Sequence, residues 1–157
     1  MNRRKRILYN EGEWFAIPLT NGGYAIGIIA RKARRGALMG YFFGPRRDQI
    51  PTVSSLADIQ PQDALCISMF GDLGILYGDW PIIGASRQWD RTKWPVPDFG
   101  RIDSINPAVG YRTTYNDNDI SQTLREVRVS AEEANALPPD ILSGWLAMEA
   151  HLRMKIG

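Results

Sequence analysis

Residues 13–30, EWFAIPLTNGGYAIGIIA, constrain the fold more than any other stretch of the chain. Glu13–Leu19 alternates, placing Phe15, Ile17 and Leu19 on one side of a strand, and Tyr24–Ala30 does the same with Tyr24, Ile26 and Ile28. Between the two runs, Asn21-Gly22-Gly23 supplies the positive-φ residues that a tight hairpin turn requires. Pro18 has no donor N–H, which places the first strand at a sheet edge, and Gly27 marks a bulge or a close backbone approach. The basic turn Arg31–Gly36 then leads into Ala37–Gly44, a third apolar run stopped by Gly44-Pro45. Three antiparallel strands between residues 13 and 44 make a meander, the usual opening of a small barrel.

The remainder extends this pattern and then departs from it. Pro51–Ala64 reads as a loop with a short helical turn. Leu65–Phe70 and Leu73–Gly78 are short apolar runs read as strands, as is Phe99–Ile105, while Asn106–Asp119 is turn-rich and Leu124–Ser130 alternates again. Ser130-Ala-Glu-Glu133 is a capping-box pattern opening a short helix that Pro138-Pro139 closes. From Asp140 a second helix carries Ile141, Trp145, Met148, Leu152 and Ile156 as an apolar stripe. The expected fold is mainly β (α+β): a partly open, small antiparallel β-barrel with a carboxy-terminal helical hairpin. It forms a single domain over 1–157, mainly β in 10–129 and helical in 130–157.

Composition narrows the function classes. An apolar fraction of 44% with 23% charged residues is that of a globular protein, not a disordered one. One cysteine, Cys66, excludes an internal disulfide and a cysteine zinc cluster, which fits a reducing compartment. The basic start MNRRKRILYN has no apolar run behind it, so the expectation is a cytoplasmic protein without an export signal, and no stretch is long and apolar enough for a membrane span. Charge is divided unevenly: residues 1–47 hold ten Lys or Arg against Glu11 and Glu13, while acids dominate the rest. The basic third suits an anionic partner and the acidic remainder a cationic one.

Few residues of the chain offer catalytic chemistry. His151 is the only histidine and lies on a helix beside Met148 and Leu152, a poor setting for a catalytic base. Cys66 sits in the apolar run ALCISMF, the opposite of the electropositive setting a nucleophilic thiol needs. Asn116–Asp119 (NDND) lacks the glycine and distal glutamate of a calcium loop and reads as a turn. Asp90 and Asp98 are separated by eight residues with no feature that makes them an acid–base pair. Gly22–Gly27 has no lysine to cradle a phosphate. The chain is therefore read as a non-enzyme with neither cofactor nor metal.

Two clusters remain. Arg3-Arg4-Lys5-Arg6 and Arg31-Lys32 with Arg34-Arg35, interleaved with Trp14, Tyr24, Tyr41 and Phe42, match the composition of nucleic-acid-binding barrels. The competing reading turns those aromatics into the core, as strand aromatics usually are. Trp80–Pro97 (WPIIGASRQWDRTKWPVP) holds three of the five tryptophans, and its prolines at 81, 95 and 97 exclude an amphipathic helix. This segment reads as a cap of the barrel with Trp80 and Trp94 packed, and Trp89, Asp90 and Arg91 at a partner-binding rim.

Taken together, GEWFAIPLTNGGYAIGIIAR (12–31), GYFFGP (40–45), GDLGILYGDWPIIG (71–84) and WDRTKWPVPDF (89–99) resemble the immunity protein 26 family of bacterial polymorphic toxin systems. The resemblance spans roughly residues 10–100, most specifically in the hairpin and the Trp-Pro segments. It implies a small, mainly β, non-enzymatic protein without a cofactor that binds and neutralises a cognate toxin, by steric occlusion. A nuclease is a toxin whose basic surface would suit the acids Asp58, Asp63, Asp72, Asp79, Asp90 and Asp98. The expected contact residues are Asp79, Trp89, Asp90, Arg91 and Asp98. A nucleic-acid-binding surface on the basic amino-terminal third is the alternative.

Overall fold

The computed structural model describes residues 7–157, so the basic run Arg3–Arg6 lies outside the described residues. The expected hairpin forms as β1 (Glu13–Pro18) and β2 (Tyr24–Lys32), with Trp14 opposite Ile28 and Ile17 opposite Ala25. β3 (Ala37–Arg47) pairs with β2 and runs on past Gly44-Pro45, and β4 (Cys66–Gly71) pairs with β3. β5 (Ile82–Ala85) adds to the free side of β1, and the two-residue β9 (Leu142–Ser143) adds in parallel to β4. The resulting sheet has the order β5-β1-β2-β3-β4-β9. A second sheet, β6-β7-β8, comprises Phe99–Ile102, Val109–Asn116 and Asp119–Ser130.

The larger sheet is open, ending at β5 and β9, and the two sheets do not close into a barrel. In β2, Ala25 to Arg31 are all buried, so both faces of the strand are covered and it lies in a central layer. One face, with Trp14, Ile26, Ile28, Tyr41 and Phe43, packs against Trp94, Phe99 and Ile120. The opposite face, with Phe15, Ile17, Ile29, Phe42 and Phe70, packs against Trp80, Ile75, Met148 and Leu152. Gly27 is a close approach: the Phe15 ring lies over it, and a Cβ there would stand 2.5 Å from Phe15 Cζ.

Several expectations change. β1 is not an edge strand, because β5 covers it, yet Pro18 is tolerated since β5 pairs only with Glu13–Phe15. Leu73–Leu76 forms a short helix, α1, closed by Ile75 and Leu76 N–H groups donating to the Asp72 carbonyl; a four-residue apolar run does not by itself separate strand from helical turn. Within Asn106–Asp119, read as turn-rich, residues 109–116 are the central strand of the second sheet, and the turns are Pro107-Ala108 and Asp117-Asn118 on either side of it.

No helical hairpin closes the chain. α2 (Ala131–Asn135) starts as the capping box predicts, with Ser130 Oγ accepting from the Glu133 N–H at 3.1 Å, and it packs on β6 and β7. α3 (Trp145–Ile156) begins after Gly144, later than Asp140, because Leu142–Ser143 pairs with β4 and leaves Ile141 outside the helix and 60% exposed. α3 covers the other sheet through Met148 and Leu152, so the two helices serve different cores.

Candidate functional site

The Trp80–Pro97 segment is a strap that passes around the β5 edge of the large sheet and joins its two faces. It starts with Trp80, fully buried, whose indole stacks on Phe15 (5.7 Å between centroids, 3° between planes) and donates through Nε1 to Glu149 Oε1 of α3 at 2.9 Å. The Pro81 carbonyl then accepts from Ala16 N–H at 2.9 Å, and β5 follows. After the edge, Ser86 N–H donates to the Gly12 carbonyl, and Trp89 lies over Gly12, whose Cβ would stand 2.7 Å from the indole. Trp94 ends the strap on the second face, edge-on to Trp14, Tyr41 and Phe43, while the Tyr41 hydroxyl donates to the Pro95 carbonyl at 2.5 Å. The expectation that Trp80 and Trp94 are packed holds, and Trp89 stacks on Trp94 (6.3 Å, 25°) with its rim half-exposed.

Between Trp89 and Trp94 runs a single helical turn, Arg91–Lys93. Asp90 caps it, its carboxylate accepting from Thr92 N–H at 3.0 Å and from Thr92 Oγ1 at 2.6 Å; these hydrogen bonds hold the Asp90 carboxyl below the usual range. Arg91 is committed inward: Nε donates to Glu11 Oε1 at 2.9 Å, and the guanidinium also reaches Asn118 Oδ1 and the Asp117 carbonyl in the β7–β8 turn. Glu11 Oε1 accepts from Trp89 Nε1 as well, at 3.3 Å. Behind this group lies Arg31, 3% exposed, which donates to Asp117 Oδ1 at 2.6 Å and to the Arg91 carbonyl at 3.2 Å. Sequence reasoning missed the Arg31–Asp117 pair and the role of Glu11. The partners stand far apart in the chain, and the one available hint is a charged residue continuing the buried run of β2.

The remaining expected site residues lie apart from that network. Asp79 is exposed between α1 and β5. Asp98 precedes β6 and accepts from Arg112 Nε at 2.6 Å and Thr114 Oγ1 at 2.8 Å. Burial pushes its carboxyl up, but those two hydrogen bonds and the Arg112 charge outweigh it and leave the group below the usual range. Asp90 and Asp98 thus hold separate partners and do not form a shared acid–base pair. A cleft of about 360 Å³ opens beside the strap, floored by Trp14 and Trp94 and edged by Asp58, Arg87 and Lys93.

Burial pushes the Cys66 thiol up to about 11 despite nearby Lys155, and on exposed His151 partial burial and the same lysine hold the imidazole below its ordinary value. Among the described residues, no group of three His, Cys, Asp or Glu is placed to hold a metal ion. The NDND segment is a turn: Asn116 Oδ1 accepts from Asn118 N–H, and Asp119 Oδ1 from Ser121. Of the four aromatics interleaved with the basic residues, Trp14, Tyr41 and Phe42 are core residues and do not offer their faces to bases, while Tyr24 is half-buried.

The sequence profile of the immunity protein 26 family matches residues 10–110, which includes β1 to β6 and the whole strap. The chain belongs to the immunity protein 26 family. Immunity proteins are generally non-enzymatic and have a toxin as partner. The match ends at the second residue of β7, so β8, α2, β9 and α3 fall outside the immunity protein 26 profile. No curated protein and no solved structure shows a significant match to the chain.

Proposed function

We propose that this protein binds and neutralises the cognate toxin domain of a polymorphic toxin system, acting in the cytoplasm by steric occlusion of the toxin's working surface. Membership of the immunity protein 26 family carries this reading. The strap supports it physically. A partner-binding rim gains affinity when its aromatic and charged groups are ordered before binding, because less entropy is lost on association. Trp89 and Arg91 are held by Trp94, Glu11 and the β7–β8 turn, and Asp90 by Thr92.

Asp79, Trp89, Asp90, Arg91 and Asp98 are the contacts assigned to the toxin. Asp79 and Asp90 are exposed and available for steering, Trp89 and Arg91 shape the rim through Glu11, and Asp98 orients Arg112 beside it on β7. A nuclease, with a basic surface over its active site, is the toxin type these acids would complement. Protection of a cell demands tight association, and a Kd of one nanomolar corresponds to about −12 kcal/mol. Co-expression with the carboxy-terminal domain of the large protein encoded by the adjacent gene tests the reading. Restored growth and a co-purifying complex are expected; continued killing despite soluble expression of both proteins would overturn it.

A further inference from the structure

At the tip of the β2–β3 hairpin, Arg35 has φ 64° and ψ 29°, the only non-glycine positive φ among the described residues. Left-handed backbone crowds a Cβ, so a turn selected for folding alone carries Gly or Asn there. Arg35 is exposed and makes no hydrogen bond or ion pair among the described residues, so its side chain returns nothing to the fold. Main-chain bonds hold the turn, from Ala33 N–H to the Ala37 carbonyl and from Asp72 N–H to the Gly36 carbonyl, and neither uses the Arg35 side chain; strain at such a position is a pointer to function.

The surroundings say what that function is. Lys32, Arg34 and Arg35 edge a groove of about 800 Å³ whose facing wall is Ile7, Leu8 and Leu76. Ile7 is fixed by its N–H donating to the Leu76 carbonyl at 3.2 Å, yet it is 38% exposed and Leu8 87%. Asp72 is buried and accepts from the Tyr9 hydroxyl at 2.6 Å, while Asp119 is exposed, accepts from Ser121 Oγ at 2.5 Å and stays charged, a state that nearby Arg34 favours. The exposed charges of the groove are therefore three cations against one carboxylate, beside an aliphatic wall. The groove adjoins the strap, because the β7–β8 turn that holds Arg91 through Asn118 also lines it.

We infer that this groove binds an acidic segment of a protein partner, with carboxylates at Lys32, Arg34 and Arg35 and an apolar side chain against Ile7 and Leu8. On the proposed function, which this inference rests on, that partner is the toxin, and the groove extends the rim of the strap. An aliphatic wall beside a cationic edge that Asp119 interrupts suits a protein segment with an apolar side chain better than a phosphate backbone, which would call for unbroken positive charge.

The test uses the full chain, its Arg35→Gly and Arg34→Glu variants, the cognate toxin domain, and two fluorescent probes: a peptide of alternating Glu and Leu, and a single-stranded oligonucleotide of matched length. Glycine accepts the backbone of residue 35, so Arg35→Gly is expected to melt no lower than wild type while binding the toxin domain about tenfold more weakly, the loss of one charged contact. The peptide is expected to bind, to compete with the toxin domain, and to be lost from both variants. Unchanged toxin affinity in both variants, or an oligonucleotide that binds more tightly than the peptide, overturns the inference. If the wild-type chain fails to bind the toxin domain, the immunity reading falls. The peptide titration still decides the groove, upholding it if binding disappears in the variants and rejecting it if it does not.

Discussion

Arg31 shows how one side chain can join distant parts of this molecule. Its guanidinium is buried beneath the strap and is compensated by Asp117, itself half-exposed, together with the Ala30 and Arg91 carbonyls. Removing the carboxylate leaves a buried cation with backbone partners alone. Asp117→Ala is therefore predicted to cost about 2 kcal/mol in urea unfolding, and Asp117→Asn, which keeps an acceptor, about half as much. Asp98 makes a pH-dependent contribution. Its folded carboxyl is held low by Arg112 and Thr114, so the stabilisation is full above about pH 4 and disappears as pH falls through the depressed value. Asp98→Asn is expected to be less stable at neutral pH and to lose less further stability below about pH 4, read from thermal melts across that range. Trp80, stacked on Phe15 and bonded to Glu149, is a core residue. Trp80→Ala should cost about 3–5 kcal/mol in the same unfolding assay.

At the scale of elements, contact of α2 with the second sheet depends on two glycines. A Cβ at Gly100 would stand 2.1 Å from the Ala134 carbonyl oxygen, and one at Gly110 would stand 2.4 Å from Ala134 Cβ. Backbone does not yield as a flexible side chain does, so Gly100→Ala is predicted to destabilise by about 1–3 kcal/mol and to raise hydrogen exchange in α2 before β1–β4. Strands with strict alternation or a turn signal were legible from residues alone: β1 and β2 around Asn21–Gly23, β8, and the Ser130-capped start of α2. Elements specified by neighbours distant in the chain were not. α1 is a strand-like apolar run turned helical at Asp72, and the start of α3 is displaced because Leu142–Ser143 finds the edge of β4. The strap was legible as a cluster of tryptophans and prolines, but the routing that puts Trp80 and Trp94 on opposite faces requires β5 as the edge between them. Arg91 and Asp98 were identified as partner-facing by residue type, whereas their hydrogen bonds run inward to groups that no spacing rule connects.

The whole molecule is a central six-stranded layer with two cores, closed at one edge by the strap and on its faces by the smaller sheet and by α1 with α3. The family profile covers five strands of that layer, β1 to β5, with the strap, and stops at β7. The surface features assigned to a partner, the strap rim and the basic groove, meet at the β7–β8 turn. On the proposed function, this surface neutralises a toxin by occupying it, without turnover. The most direct measurement is titration of the purified protein into a fixed amount of active cognate toxin domain, following residual toxin activity. Activity falling linearly to zero at a fixed protein-to-toxin ratio, with active toxin recovered after the complex is dissociated, is the predicted result. Complete inactivation by a small fraction of that amount, or activity unaffected by a large excess, would contradict it.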